Sequence, residues 1–176
     1  MYYIKGERGS DNISWEIREN TLFISGSGKM PDFDFDKGCE WSGEKFSKVV
    51  ISEGITRIGD YVFENNENLE SVVLPNSIKC IGEGVFEGCG RLEHITIPKN
   101  VKEIGAYTFR GCGSLEHITI PKNVTHIGYS AFWEGSEVTI HTPKGSTAHK
   151  YAVKNNINVR TINSPKKDNR NKGYER

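Results

Sequence analysis

A 23-residue internal repeat is the feature that most constrains the fold of this chain. A Leu-x-x-Ile-x-Ile-Pro segment, with conservative exchanges, begins at Leu69, Leu92 and Leu115, and a weaker copy begins at Phe46. Further columns hold the same phase: Ile58, Ile81, Ile104 and Ile127; Phe63, Phe86, Phe109 and Phe132; and Cys89 and Cys112. Several columns in register indicate a stacked repeat architecture.

Each copy predicts two short extended segments and a turn. The Ile-x-Ile segment alternates apolar and polar residues, which indicates a strand with one buried face. Pro75, Pro98 and Pro121 end that strand, because proline has no amide hydrogen to donate to a neighbouring strand. The Val-x-x-Ile-Gly segment predicts a second extended stretch, and the part around the repeated phenylalanine predicts a helical turn that points its ring inward.

One copy cannot bury its own apolar residues, so the copies are predicted to stack. The result is a β-rich solenoid of about five coils, whose short parallel strands lie about 4.8 Å apart. Its ends need caps, because an open end would expose core and strand edges. A hairpin over residues 13–17 and 22–24 predicts an N-terminal β cap. A helix that begins at Ser146, followed by a strand over 157–162, predicts a C-terminal helix–strand cap.

These patterns divide the chain into four parts. The N-terminal β cap covers residues 1–45, and the solenoid covers 46–140 with four copies plus a last strand. The C-terminal cap covers 141–162. Residues 163–176 lack apolar periodicity and carry five basic and two acidic side chains, so a flexible basic tail is predicted.

The repeat resembles the BspA-like leucine-rich repeats, a bacterial subclass with the motif Ser-Leu-x-x-Ile-x-Ile-Pro-x-x-Val-x-x-Ile-Gly-x-x-Ala-Phe-x-Gly-Cys. Residues 92–114 and 115–136 carry this motif, and the resemblance covers 9–162 with both caps. The chain departs from it at Asn66, where Cys is usual, and at Thr108, where a small residue is usual. The resemblance implies a leucine-rich repeat fold and a surface or secreted protein that binds host or neighbouring-cell proteins.

Composition and charge exclude several classes of function. The chain has 23 basic and 23 acidic side chains, whereas a broad nucleic-acid surface needs a basic excess. No apolar run is long enough to span a bilayer, so we expect neither a nucleic-acid partner nor membrane insertion. The N-terminus lacks the apolar stretch of a secretory signal. The resemblance favours an extracellular or cell-surface location, and the missing signal leaves a cytoplasmic one open.

The cysteine side chains, which could act in catalysis or form disulfides, do not match the spacing of a known site. Cys89 and Cys112 should stack in adjacent coils with Cβ atoms about 4.8 Å apart, which is longer than a disulfide prefers, so buried free thiols are predicted. Cys39 and Cys80 have no histidine at a recognisable spacing. With no nucleophile–base pair and no metal spacing, we predict that the chain is not an enzyme and holds no cofactor or metal.

An acidic loop in the N-terminal cap leaves one alternative open. Asp32, Asp34 and Asp36 alternate as in a calcium loop. The motif's glycine falls one place late, however, and Gly43 stands where a bidentate Glu is required. The other interpretation is a cap loop that buries its phenylalanines and leaves the carboxylates in water.

The outward positions of the first strand predict the ligand-contact surface, because repeat arrays bind partners across such regular faces. This strand-face strip consists of Ser71, Val73, His94, Thr96, His117 and Thr119. A merely solvated polar face is one alternative. A metal held by Glu93, His94, Glu116 and His117 is another, disfavoured because neighbouring strand residues point to opposite faces. Protonation of the stacked imidazoles of His94 and His117 is predicted to weaken folding at about pH 5–6.

The function that these observations favour is a non-catalytic protein-binding or adhesion module with a protein partner. The alternative is a structural spacer, or a module of a larger cell-surface protein. The sequence carries no signal for an oligomeric state.

Overall fold

The computed structural model describes residues 3–8, 12–33, 39–41, 43–133 and 137–162. The predicted basic tail at 163–176 lies outside the described residues. The elements in chain order are β1 Tyr3–Arg8, β2 Ile13–Arg18, β3 Thr21–Gly26, β4 Gly28–Lys29, β5 Lys48–Ile51, β6 Ile55–Ile58, β7 Ser71–Val73, β8 Cys80–Ile81, β9 His94–Ile95, β10 Glu103–Ile104, β11 His117–Thr119, β12 His126–Ile127, β13 Thr139–Thr142, α1 Thr147–Lys154 and β14 Asn158–Thr161.

Two sides of the solenoid are parallel sheets. On the first side, β3, β5, β7 and β9 follow one another, and an isolated parallel bridge from Thr96 to Thr119 leads on to β11, β13 and β14. On the second side, β4, β6, β8, β10 and β12 form one sheet. The predicted solenoid with short parallel strands and two caps is therefore confirmed.

The solenoid has about six coils, one more than the repeat count predicts, because the first coil lies in the N-terminal cap. Strand β3 pairs with β2 as an antiparallel hairpin and with β5 in parallel. Its Leu22 lies opposite Val49, which is 27 residues later, whereas Val49 and Val72 are 23 apart. The longer spacing hides this coil from a search for a 23-residue period.

A ladder of stacked aromatic rings fills the third side of the core. The ring centroids of Phe63 and Phe86 are 5.6 Å apart, those of Phe86 and Phe109 are 5.6 Å apart, and those of Phe109 and Phe132 are 5.1 Å apart. Trp41 extends the ladder from the N-terminal cap at 6.0 Å. The 23-residue phase places one ring per coil, so each ring covers the face of the next.

The backbone around these rings forms hydrogen-bonded turns, and the predicted helical turn is wrong. The amide of Phe86 donates to the carbonyl of Thr108 in the next coil at 2.9 Å, rather than along its own segment. Gly84 and Gly88 adopt φ values of +57° and +72°, which a right-handed helix excludes. The turns therefore bond from coil to coil, as the strands do.

The glycine after each second strand is required by stacking. A Cβ on Gly105 would overlap the backbone carbonyl of Gly82 in the preceding coil. The repeated Ile-Gly therefore marks the positions where the backbones of successive coils approach closely. Only glycine, which has no Cβ, fits there without displacing the backbone.

Both caps have identifiable local causes. Glu19 and Asn20 adopt positive φ values of 48° and 65°, which suits a two-residue turn between β2 and β3. At the other end, the Ser146 hydroxyl accepts a hydrogen bond from the His149 amide at 3.1 Å and caps α1. Strand β14 then pairs in parallel with β13, so the last coil is covered.

Candidate interaction surfaces

The structure places all six residues of the strand-face strip on the outer side of the first sheet. Ser71 lies opposite His94, and Thr96 lies opposite Thr119. Ser71 is half-buried, the other five are exposed, and Val73 is exposed by 58%. Because inward residues such as Val72 and Ile95 fill the core, the outward positions form a continuous ribbon across the coils.

The register extends this ribbon beyond the predicted residues. His117 lies opposite Thr139, which is 22 residues later, and Thr119 lies opposite His141. The ring that contacts His117 is that of His141, with centroids 5.4 Å apart, rather than that of His94. Sequence reasoning missed His141 because the last copy is one residue short. The predicted acid sensitivity of this face stays a prediction.

Glu93 and His94 converge, contrary to the expectation from strand alternation. The Glu93 carboxylate lies 3.6 Å from Nε2 of His94. Glu93 precedes β9, so its side chain need not point to the opposite face of the sheet from that of His94. A cleft beside them is lined by Glu93, His94, Gly113, Ser114, Glu116, His117 and Glu137. Among the described residues, no group of three or more His, Cys, Asp and Glu side chains is arranged to hold a metal.

Asp32, the first carboxylate of the predicted calcium loop, contacts protein groups. It accepts hydrogen bonds from the Arg57 guanidinium and from the Asp60 amide, the latter at 2.9 Å. Burial raises the pKa of Asp32, but these hydrogen bonds outweigh it and hold the pKa below its usual value. Asp34 and Asp36 lie outside the described residues, so calcium binding stays a hypothesis.

The cysteines are free thiols, and the two in the repeat column are buried. The thiols of Cys89 and Cys112 donate to the carbonyls of Phe63 and Phe86, at 3.1 and 3.2 Å. Burial raises the pKa of Cys112 to about 12 and raises that of Cys89 as well. Burial, and then Glu103, also raise the pKa of Cys80. A nucleophilic cysteine needs the opposite shift.

A second exposed surface lies on the turns, and sequence reasoning missed it. It is the turn-face patch, formed by Tyr107, Arg110, Tyr129 and Trp133. Tyr129 is exposed by 76% and Trp133 by 53%. The rings of Tyr107 and Tyr129 meet edge to face with centroids 5.9 Å apart. The repeat phase would have identified Trp133 as exposed, because it follows Glu64, Glu87 and Arg110 at 23-residue steps.

Arg110 connects this patch to the carboxylates of the preceding coils. Its guanidinium lies 4.8 Å from the ring centroid of Trp133 and 5.8 Å from that of Tyr107. A 3.0 Å ion pair joins it to Glu87. The cation is therefore held between aromatic rings and a carboxylate.

Glu64 occupies the same column one coil before Glu87 and lines a recess at the edge of the N-terminal cap, together with Tyr61 and Asn66. Burial, and then the nearby Glu87 carboxylate, raise the pKa of Glu64 to about 7. No basic side chain within the described part of the chain pairs with it, whereas Glu87 has Arg110.

None of the described helices has the length and apolar character needed to cross a membrane.

A family model described as BspA type Leucine rich repeat region (6 copies) matches residues 39–160. The matched residues begin after β3 and β4, so the coil in the N-terminal cap lies outside the match. A comparison with curated proteins found no match.

Several solved structures share the fold. A leucine-rich repeat protein from Eubacterium ventriosum is 26% identical, with a TM-score of 0.62 over 85% of this chain and 46% of that chain. A leucine rich cell surface protein from Faecalibacterium prausnitzii is 25% identical, with a TM-score of 0.61 over 81% of this chain and 41% of that one. A leucine-rich repeat protein from T. pallidum, at 21% identity and a TM-score of 0.60 over 77% of this chain and 71% of that one, shows the fold alone. This chain thus spans under half the length of the first two.

Proposed function

This chain belongs to the BspA-type leucine-rich repeat family, and from that premise we propose that it is a non-catalytic protein-binding module that works in adhesion. Leucine-rich repeat solenoids are typically non-enzymatic, and the family suggests a protein-interaction or surface module. The contact surface is the strand-face strip, and the partner is a protein on a host or neighbouring cell.

The observation that carries this proposal is the register of the outward positions. Parallel pairing sets Ser71 beside His94 and Thr96 beside Thr119, so the outward positions of successive coils form aligned columns. Such a surface offers hydrogen-bond donors and acceptors at a spacing of about 4.8 Å, with Val73 as an exposed apolar contact. Repeat proteins bind extended partner surfaces with arrays of this kind.

The cell surface is the location that we propose for this binding. The Faecalibacterium prausnitzii structure is described as a cell surface protein, and its chain is 25% identical to this one.

The test is binding of the purified chain to a panel of extracellular-matrix and cell-surface proteins at two salt concentrations. We expect a saturable signal that persists at the higher salt and is lost when His94, Thr96, His117 and Thr119 are all changed to Ala. A variant with Lys102→Ala and His126→Ala is the control and should bind normally, because Lys102 directly precedes β10, His126 lies in β12, and both are exposed on the side of the second sheet. Equal binding by the strand-face variant would contradict the proposal.

A structural spacer is the second candidate function. The solved neighbours suggest it, because the region that matches this chain makes up 46% and 41% of the first two bacterial chains, which therefore contain further segments for a repeat unit to separate. A spacer would bind none of the panel, and its strand-face variant would behave like the natural sequence in every assay.

A further inference from the structure

We propose that the turn-face patch is a second docking surface, and that its occupant is an extended segment of a partner protein that contains lysine and arginine. The patch lies on a different side of the coil from the strand-face strip. Its occupancy therefore does not depend on the function proposed for that strip.

The patch has the composition of an interaction site. Tryptophan, tyrosine and arginine dominate the residues that carry binding energy at protein interfaces. Single exposed apolar residues are ordinary, but here Tyr129 and Trp133 lie on one turn and Tyr107 touches Tyr129 from the preceding coil. At the position of Trp133 the earlier coils carry Glu64, Glu87 and Arg110, so the aromatic ring replaces charged side chains.

Arg110 is an intramolecular example of the recognition that we propose. Its guanidinium lies over the rings of Trp133 and Tyr107 while Glu87 neutralises its charge at 3.0 Å. Trp133 and Tyr129 keep about half and three-quarters of their surface exposed beside it. Open aromatic faces next to carboxylates attract further cations, through the ring quadrupole and through charge.

The charge along the turns selects a basic occupant. The second and third coils carry Glu64, Glu67, Glu83 and Glu87 on their turns, while Tyr107, Tyr129 and Trp133 follow in the later coils. Glu64 has no basic partner within the described residues, and Glu87 lies near enough to raise its pKa. A cation from a partner would relieve this repulsion. The distance along the stack from Glu64 to Trp133 is three coil steps, or about 14 Å. An extended segment of about four or five residues spans this distance.

The probe is an acetylated and amidated peptide, Gly-Arg-Pro-Lys-Pro-Arg-Gly, titrated to millimolar concentration into the full ¹⁵N-labelled chain and followed by NMR. We expect saturable shifts of the Trp133 indole N–H and of the amides of residues 107–111. Trp15 and Trp41 are buried, so their indole signals should stay in place. The same peptide with Glu for Arg and Lys should cause no shift, and added salt should weaken binding.

Three variants locate the contact, with backbone amides as reporters. The double variant Tyr129→Ser and Trp133→Ser should weaken binding about tenfold, since each exposed cation–π contact contributes a few-fold. At pH 8, where Glu64 is mostly ionised, Glu64→Gln should weaken it about threefold, through loss of a surface charge pair. The control, His94→Ala with His117→Ala, alters only the strand face and should bind as the natural sequence does.

Three outcomes would overturn the docking surface. They are no saturable shift, equal binding of the acidic peptide, and unchanged affinity in the Tyr129 and Trp133 variant. Loss of binding only in the strand-face control would assign the basic peptide to the strip instead. Failure here leaves the panel experiment on the strand face unaffected, so the two proposals can fail separately.

Discussion

Glu64 shows how one residue of a repeat column can acquire a property that the others lack. Its neighbour in the column, Glu87, is neutralised by Arg110, whereas Glu64 has burial and a second carboxylate beside it. These two causes raise its pKa from 4.5 to about 7. The folded chain therefore binds a proton at Glu64 more tightly than the unfolded chain does. The contribution of this protonation to the free energy of unfolding is fully present below about pH 4.5 and is lost as the pH rises through 7.

Glu64→Gln should therefore raise the free energy of unfolding at pH 8 and leave it nearly unchanged at pH 4. The full pKa shift would correspond to about 3 kcal/mol. Since the carboxyl group is partly exposed, we expect about 1–2 kcal/mol after allowance for solvent screening. Urea unfolding at the two pH values measures this difference.

Glu67→Gln is the matched control for that measurement, because Glu67 is exposed on the same turn. Its stability should change by less than about 0.5 kcal/mol at either pH. If Glu64→Gln were no more stable than the natural sequence at pH 8, the carboxyl group would not carry the unfavourable charge that we assign to it.

At the scale of elements, the aromatic ladder holds successive coils in register. Phe86 is fully buried and stacks on Phe63 and Phe109 at 5.6 Å on both sides. Removal of this ring would leave a cavity that neighbouring coils cannot close, because their spacing is fixed by strand and turn hydrogen bonds.

Phe86→Ala should cost about 3–5 kcal/mol of stability, the range for buried phenylalanine in well-packed cores. Tyr129→Ala removes a ring of similar size that is exposed by 76%, so it should cost less than about 0.5 kcal/mol. Chemical denaturation of both variants beside the natural sequence tests the contrast. A loss below about 1 kcal/mol for Phe86→Ala would contradict the ladder's role.

Elements that follow the repeat phase could be predicted, and the two caps could be predicted from their local turn and capping residues, but the stacking of the N-terminal cap on the solenoid as a further coil could not. Strands β7, β9 and β11, and the buried rings beside them, follow from period-2 alternation and a constant spacing. The coil that contains β3 was missed because 27 residues separate Leu22 from Val49. The predicted helical turn was wrong because residues such as Tyr107, with φ of 55°, adopt a left-handed backbone conformation. A tyrosine side chain gives no indication of this conformation in the sequence.

Candidate sites were predicted less completely, for a related physical reason. Periodicity identifies which positions point outward, and the six residues of the strand-face strip do lie on the outer side of the sheet, while their role as a contact surface stays a prediction. It does not say which outward residues touch one another. The contacts of His117 with His141, and of Arg110 with Trp133, depend on a shortened last copy and on side-chain packing across coils.

For the molecule as a whole, the stability of each coil depends on the coils directly beside it, because each coil contacts chiefly its neighbours. The C-terminal cap therefore protects the last coils more than the first. Ser146 is central to that cap. Its hydroxyl accepts from the His149 amide at 3.1 Å and bonds to the Thr142 hydroxyl at 2.8 Å, while Thr142 donates to the Ile120 carbonyl at 2.8 Å.

Ser146→Ala should cost about 1 kcal/mol, as expected for loss of a helix N-cap, and its effect should depend on position along the stack. Hydrogen exchange is expected to speed up in β11, β13 and α1, whereas β5 and β7 keep their protection, because partial opening begins at the weakened end. Thr96→Ala, at an exposed site in the strand-face strip, is the control and should leave both ends unchanged. A uniform increase across all strands would show instead that the solenoid opens as one cooperative unit, and that the coupling between coils exceeds what nearest-neighbour contacts supply.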